Sequence, residues 1–281
     1  MTHDMIRLIA FDLDGTLLTP DKTLAGRDIE ALCEAAARGV ELVPASGRLL
    51  AALPPDVLTL PNVRHVIAVN GAQVLEYPSG RVLAAAELTA GRAVEIMRFL
   101  DSFDVIYDCY AGGMAWMSRA HKALIDGTVA DVHYRKMLHE LRRPVDDLKA
   151  FVLGGGRGVQ KVQLFTSDDA LRAWLLEELP RRFDGLAVTS SVSQNIEINS
   201  AGATKGAALA SLARLLGLPR GAVMAIGDGL NDISMLSAAG LAVAMGNAHE
   251  DVKRCAGYVT ATNAECGVAL SVKKFVLGKD V

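Results

Sequence analysis

Apolar positions follow two alternating rhythms along this chain. Ile6-Arg7-Leu8-Ile9-Ala10-Phe11 is short, apolar and β-compatible, which predicts a buried strand. Over residues 24–39 the apolar positions Leu24, Ile29, Leu32, Cys33 and Ala36 recur near the helical period, and Gly39 is placed as a C-cap. Residues 40–45 and 64–69 are further short apolar runs. Strand, helix and strand in alternation predict a parallel sheet with helices on its faces.

The rhythm then changes. Residues 72–77 and 81–87 flank Pro78-Ser79-Gly80, a tight-turn sequence, so a hairpin is predicted. Between about 84 and 190, helical stretches (89–100, 168–179) mix with short strands (105–109, 114–117, 161–165, 185–189). The run Leu153-Gly154-Gly155-Gly156-Arg157-Gly158 does not match GxGxxG and reads as a hairpin tip between strands. From about 191 the first rhythm returns, with helices predicted over 203–216 and 230–239 and strands over 222–226 and 241–245. The fold class read from this pattern is α/β. It has a Rossmann-like parallel-sheet core with helices on both faces, built from 1–83 and 191–281, and an inserted α+β domain over 84–190. Insertion at a loop tip leaves a host core intact.

Composition narrows the functional classes. The chain has 281 residues, 51% of them hydrophobic and 22% charged, enough apolar material for a buried core. Lys plus Arg is 29 against 32 Asp plus Glu, a net charge of -3. A general nucleic-acid binder needs a basic surface, so no nucleic-acid partner is expected. No apolar stretch approaches the ~20 residues of a membrane span, and Met5 to Phe11 is too short for a secretory leader, so no membrane partner is expected. Cysteines 33, 109, 255 and 266 form no CxxC pair and read as free thiols of a cytoplasmic protein. The sequence carries no signal for an oligomeric state.

Four stretches carry candidate chemistry. In Phe11-Asp12-Leu13-Asp14-Gly15-Thr16-Leu17, two carboxylates stand at the carboxyl end of the first strand, where open α/β sheets bind ligands. Strand alternation would put Asp12 and Asp14 on one side, and Gly15 permits a tight turn. A solvated Asp-Gly turn is the simpler reading of this stretch alone. In Gly227-Asp228-Gly229-Leu230-Asn231-Asp232, the three polar residues share a face near a helix start, and their oxygens suit Mg²⁺. Helix capping alone would explain one of these residues. Ser46-Gly47-Arg48 offers a hydroxyl and an N–H for phosphate, or an ordinary Ser N-cap. Lys205 sits in a helix's first turn, the unfavourable end of the dipole, which invites a compensating anion, although a solvated lysine is the default reading of this residue alone.

Residues 12–17, Ser46-Gly47-Arg48, Lys205 and residues 227–232 together resemble the four ordered motifs of the haloacid dehalogenase-like (HAD) superfamily. Val69-Asn70-Gly71-Ala72, Lys205-Gly206-Ala207-Ala208-Leu209, Met235-Leu236 and Ala242-Val243-Ala244-Met245-Gly246-Asn247-Ala248 resemble its Cof-type hydrolases of subfamily IIB, in which a cap is inserted where 84–190 lies here. Two positions depart from the pattern: Ser46 stands where Thr is usual, and Cys266 where Asp is frequent.

The resemblance implies a Mg²⁺-dependent phosphatase acting on a small phosphorylated metabolite. Asp12 is then the nucleophile that forms an aspartyl-phosphate, and Asp14 the general acid and base. Asp12, the Asp14 carbonyl, Asp228 and, directly or through water, Asp232 hold the metal. Leu13, Ser46, Gly47, Lys205 and Asn231 bind the phosphate, and the cap closes over the site and sets specificity. Asp108, Tyr110, Trp116 and His121 are candidates to touch the leaving group, each equally compatible with a cap strand surface or core. Arg48 is expected to lock the loop after Ser46. A phosphosugar mutase would share the phosphoaspartate, and a non-catalytic metabolite-binding module would need no acid–base pair.

Overall fold

In the computed structural model, which describes residues 5–156, 158–190 and 194–279, one unit comprises Met1–Ala85 and Thr204–Val281, and the other Ala86–Ala203. The first unit begins with β1 (Leu8–Phe11), α1 (Gly26–Ala37), β2 (Glu41–Pro44), α2 (Pro55–Leu58), β3 (His65–Ala68), β4 (Gln73–Glu76) and β5 (Val82–Ala85). The second contains α3 (Ala90–Leu100), β6 (Ile106–Ala111), β7 (Met114–Ser118), α4 (Arg119–Ala123), α5 (Ile125–Thr128), α6 (Val132–Leu141), β8 (Arg142–Val145), α7 (Leu148–Gly155), β9 (Val159–Phe165), α8 (Asp169–Arg182), β10 (Leu186–Thr189) and β11 (Asn195–Ser200). The chain then returns to the first unit through α9 (Lys205–Leu215), β12 (Val223–Gly227), α10 (Ile233–Ala238), β13 (Leu241–Ala244), α11 (Glu250–Cys255), β14 (Tyr258–Val259) and α12 (Gly267–Val272).

The core sheet is parallel throughout, in the order β14-β13-β12-β1-β2. All four residues of β1 and all five of β12 are buried, because helices cover both faces. Helix α1 packs on α12, and α9 on α10. Burial of each large side chain of β1 stabilises the unit by roughly 1.5–3 kcal/mol. The pairing of β1 with β12, with Phe11 opposite Ile226, joins segments from opposite ends of the chain. It places the residues after both strands at one carboxyl edge of the sheet, where such folds bind ligands. A second sheet, β3-β4-β5, is antiparallel, with Pro78-Ser79-Gly80 at its predicted turn. A single parallel bridge from Ala45 to Ile67 ties it to β2.

The inserted unit is a six-stranded sheet in the order β10-β11-β9-β6-β7-β8, antiparallel except between β7 and β8. Strand alternation sorts its faces. Tyr107, Cys109, Val162, Leu164, Ile196 and Ile198 pack in one apolar cluster with residues of α3, α7 and α8. The intervening positions carry a buried polar set. Arg142 Nε donates to Asp108 at 2.8 Å and Lys161 Nζ to Glu197 at 3.0 Å. The Tyr110 ring lies within 5.3 Å of the Arg142 cation and 4.5 Å of Lys161. Burial pushes the Asp108 carboxyl upward against the pull of Arg142, and its second oxygen has no hydrogen-bond partner.

Two expectations need correction. β11 pairs with β9 and β10, so Asn195–Ser200 belongs to the inserted unit and the core resumes at Thr204, not at 191. Its alternation of buried apolar and polar residues serves a two-faced cap sheet, which the polar Asn195, Glu197 and Asn199 disguised. Residues 191–193 lie outside the described residues. The glycine run is not a hairpin tip either. Asp147 caps α7 by accepting from Lys149 N and Ala150 N, the helix runs to Gly155, and Gly156 ends it at φ 58°. A left-handed glycine is a common helix terminator. Arg157 lies outside the described residues.

Candidate active site

Two loops at the carboxyl edge of the core sheet bring the acidic residues together. Asp12 follows β1 directly, Asp228 follows β12, and Asp232 ends the single 3₁₀ turn Leu230–Asp232 that precedes α10. One carboxylate oxygen from each of the three can be chosen so that all lie within 4.8 Å of one another. Lys205, the first residue of α9, is fully buried among them. Its Nζ donates to Asp12 Oδ1 and to Asp232 Oδ1, both at 2.6 Å. The compensating anions that the lysine's position called for are therefore these carboxylates. Burial works against the Lys205 ammonium, but the two carboxylates outweigh it and hold its pKa above the usual lysine range.

Asp232 and Asp228 have further partners. Asp232 Oδ2 accepts from the backbone N–H groups of Asp228 and Gly229 at 3.0 and 2.9 Å, so both oxygens of Asp232 are occupied. Asp228 Oδ1 accepts from the Thr16 hydroxyl at 2.7 Å. Burial pushes the Asp228 carboxyl up to about 6, with Thr16 opposing. Burial likewise raises Asp12, against the pull of Lys205 and with help from Asp232 and Asp228. Gly15, at φ 88°, lets the loop pass over Asp228, since a Cβ there would stand 2.3 Å from Asp228 Oδ2.

Asp14 faces a different environment. β1 ends at Phe11, so strand alternation does not carry through to residue 14. Its carboxylate accepts from Arg48 Nε at 2.9 Å, Arg48 Nη2 at 2.7 Å and Lys22 Nζ at 2.9 Å. Partial burial raises this group, but the two cations outweigh that and hold it below the usual carboxylate range. Arg48 also donates to Ala52 O at 3.4 Å, within its own loop. Its guanidinium thus reaches Asp14, a link the loop-locking expectation did not include.

Ser46 is buried, and its hydroxyl accepts from Arg48 N at 3.2 Å. It forms a local turn and does not cap a helix, because the next helical turn, Leu50–Ala52, has Leu49 at its N-cap. Asn231 Nδ2 donates to Asn70 Oδ1 at 3.1 Å. Leu13 is fully buried behind the first loop.

Three residues escaped the sequence-based list of site residues. Asn70 occupies a strained segment in which Val69, Asn70 and Gly71 all have positive φ. Such conformations cost on the order of 1–3 kcal/mol for a side-chain-bearing residue. A Cβ on Gly71 would stand 2.2 Å from Thr204 O, so the segment lies against the start of α9. Asn247 Nδ2 donates to Gly15 O at 2.8 Å, its Oδ1 accepts from Asn263 N at 3.0 Å, and Asn263 Nδ2 donates to Leu18 O at 2.8 Å. These two amides clamp the loop that carries Asp12 and Asp14. The Asn-Gly pair at 70 and 71 was a legible turn signal; the roles of Asn247 and Asn263 depend on contacts over more than 230 residues.

The cap candidates are engaged within their own unit. Asp108 pairs with Arg142, and the Tyr110 hydroxyl accepts from Arg142 Nη2 at 3.0 Å. Trp116 Nε1 donates to Ala111 O at 3.0 Å, and the ring packs on Phe151. His121 packs edge-on against Tyr107. All four described cysteines are free thiols, and no helix among the described residues is long and apolar enough to cross a membrane.

Comparison with known proteins agrees with this geometry. The family described as haloacid dehalogenase-like hydrolases matches residues 9–271. Phosphatase YwpJ of Bacillus subtilis (strain 168) is 34% identical, over 95% of this chain and 99% of its own. The 5-amino-6-(5-phospho-D-ribitylamino)uracil phosphatase YcsE of the same organism is 32% identical, over 97% and 96%. The crystal structure of a haloacid dehalogenase-like hydrolase from B. subtilis superposes with a TM-score of 0.78 at 31% identity, over 95% of this chain and 99% of that one. With ordered motifs and matches along nearly its whole length, the chain belongs to the haloacid dehalogenase-like hydrolases, among the Cof-type phosphatases.

Proposed function

We propose that this protein is a Mg²⁺-dependent phosphatase that hydrolyses a small phosphorylated metabolite, a sugar phosphate or related phosphomonoester, through an aspartyl-phosphate on Asp12. The observation that carries the reading is the cluster of the buried Asp12 and Asp232, which share the ammonium of Lys205, with the half-buried Asp228. Fully ionised, three carboxylates and one lysine leave an uncompensated negative charge matching one divalent cation. The donors are hard oxygens, which suit Mg²⁺. Asp12 and Asp228 would hold it, joined by the Asp14 carbonyl. Asp232, with both oxygens occupied, serves by fixing Lys205 and the Asp228 loop. When bound, the cation supplies charge that screens the repulsion between a phosphate dianion and the attacking carboxylate.

The protein's own groups account for the remaining steps. Asp12 attacks phosphorus as the ester P–O bond breaks, and Asp14, once protonated, gives its proton to the departing alkoxide. Asp14 then takes a proton from water, whose oxygen attacks the aspartyl-phosphate and frees inorganic phosphate and Asp12. Lys205, the Ser46 hydroxyl, the backbone around Leu13 and Gly47, and the Asn231 amide stabilise charge on the transferring group, usually the largest catalytic contribution. The inserted unit sets substrate choice. The ribityl phosphate in the name of YcsE supports a phosphorylated polyol or sugar as the class. The four free thiols suit the cytoplasm as its location.

A phosphate-release screen over many phosphorylated metabolites, with Mg²⁺ and with EDTA, tests this reading. Release is expected for at least one member, and only with the metal. Turnover in EDTA would remove the role given to Asp228. An isomerised phosphosugar with no free phosphate would make the protein a mutase. Ligand-dependent thermal stabilisation without turnover would make it a binding module.

A further inference from the structure

Val69, Asn70 and Gly71 have φ of 52°, 56° and 93° in succession. Val69 is β-branched, so its conformation persists only where the surroundings impose it. They do so here: Val69 N donates to Arg48 O and Asn70 N to Ser46 O, both at 3.0 Å. The strained turn therefore rides on the Ser46-Gly47-Arg48 loop and carries the buried Asn70 side chain towards Asn231.

The contacts around the Asn231 amide have a direction. Its nitrogen meets Asn70 Oδ1 at 3.1 Å. A Cβ on Gly47 would stand 2.9 Å from that same Asn70 oxygen, so the nitrogen end lies on the side of the Ser46-Gly47 loop. A Cβ on Gly229 would stand 2.6 Å from Asn231 Oδ1, which puts the oxygen end beside Gly229. The two ends of a primary amide are nearly identical in shape and opposite in hydrogen-bonding character, so only a neighbour's polarity selects one orientation. Asn70 offers an acceptor, and an acceptor selects the nitrogen.

We propose that Asn70 is a positioning residue for phosphoryl recognition, whose side-chain oxygen turns the Asn231 amide so that its donor end faces the Ser46-Gly47 loop. The second hydrogen of Asn231 Nδ2 is then directed to the anion, and a flipped amide would present lone pairs to it. This rests on the phosphatase reading for the anion's identity, since Ser46, Gly47 and Asn231 are its proposed phosphate-binding set.

The test is a double-mutant cycle read by calorimetric binding of inorganic phosphate in Mg²⁺ buffer, with kcat/KM as a second readout. Asn70→Gly removes the amide and accepts φ 56° without strain. It is expected to weaken phosphate about 5- to 30-fold, the range of one or two lost hydrogen bonds. Asn231→Ala should cost at least as much, and the double variant no more than Asn231→Ala alone. Additive losses, no loss in Asn70→Gly or Asn231→Ala, or a wild-type protein that binds no phosphate would each overturn the proposal. Should Asn70→Gly fail to fold, Asn231→Asp tests the same point without touching the strained turn. It replaces the donor by an acceptor of equal shape and should weaken phosphate at least as much as Asn231→Ala; wild-type affinity would overturn the proposal. Phosphate binding that follows the cycle, in a protein that releases phosphate from no substrate, would leave Asn70 its role and end the phosphatase reading. Turnover with an additive cycle would do the reverse.

Discussion

Arg48 grips Asp14 with two parallel donors, Nε at 2.9 Å and Nη2 at 2.7 Å, the fork geometry that suits guanidinium to carboxylate. Lys22 adds a third donor from a more exposed position. A carboxylate held this way stays ionised, whereas a general acid must first carry a proton. Asp14 therefore has to loosen from Arg48 before it can serve a leaving group. Arg48→Ala removes the larger cause of its lowered pKa, so the limbs of the pH–rate profile that titrate Asp14 should move towards higher pH. Lys22→Ala should move them less, because an exposed pair is worth at most ~1 kcal/mol. Profiles of kcat and kcat/KM with an alkyl phosphate check this; an Arg48→Ala profile that overlays the wild type would contradict it.

Asp12 and Asp14 should separate by leaving group. Asp12→Asn is expected to abolish turnover of every phosphomonoester, since it replaces the attacking carboxylate by a non-nucleophilic amide. Asp14→Asn should leave slow turnover of an aryl phosphate, whose good leaving group needs little acid help, and lose a further ~10²-fold or more on an alkyl phosphate. Parallel assays on the two substrate types read the split. Equal losses on both would deny Asp14 the role of acid, and full aryl phosphate hydrolysis by Asp12→Asn would deny Asp12 the role of nucleophile.

Much of the core was legible because its signals are local. Apolar runs ending in Asp12 and Asp228 announced β1 and β12, and Gly39, at φ 85°, stands just beyond α1 as its C-cap placement required. Lys205 at a helix start invited an anion nearby, although a solvated lysine was the default reading of that residue alone. What was not legible depends on distant partners. Asp108 and Tyr110 read as ligand contacts or as parts of a cap strand, and Arg142, which answers both, stands more than 30 residues away on an edge strand. β11 hid its membership of the cap sheet because every second residue is polar and nevertheless buried. The direction of the Asn231 amide is set across 161 residues by Asn70. No periodicity encodes such pairings.

The Asn247 and Asn263 clamp should act on rate more than on stability. Its donors meet Gly15 O and Leu18 O, on the loop that carries Asp14. Asn247→Ala loses the donor to Gly15 and the acceptor for Asn263 N, about 1 kcal/mol each. The loop would then sample positions in which Asp14 is misplaced. A fall in kcat of roughly 10-fold is expected, since misplacement by about 1 Å can cost more than that, with the melting temperature lowered by only a few degrees. Steady-state kinetics beside a thermal melt checks the claim, and a stability loss with unchanged kcat would show the clamp to be structural only.

Asp28 gives the protein a stability that falls as pH rises. It lies in the first turn of α1 and is 1% exposed. Its Oδ1 accepts from Ala269 N, in the first turn of α12, at 2.7 Å, and its Oδ2 has no hydrogen-bond partner. Burial pushes the carboxyl from 3.8 up to about 6, outweighing the Ala269 amide and the Lys273 charge. The folded protein therefore keeps a proton that the unfolded chain has released over that interval. The contribution is fully present below about pH 4 and lost as pH rises through 6, about 3 kcal/mol in all. Asp28→Asn removes the charge while its amide oxygen still accepts from Ala269. Part of the gain is offset by a buried amide nitrogen without a partner, about 1–3 kcal/mol. Asp28→Asn should thus lose the pH dependence of this site. It should be no more stable than wild type near pH 4, where the carboxyl is already neutral, and equal to or more stable than wild type near pH 8. Thermal melts of both proteins from pH 4 to 8 provide the measurement. Two curves that run parallel across the whole range would mean that Asp28 does not titrate between 4 and 6, and that the orphaned oxygen is matched by a group that keeps it charged.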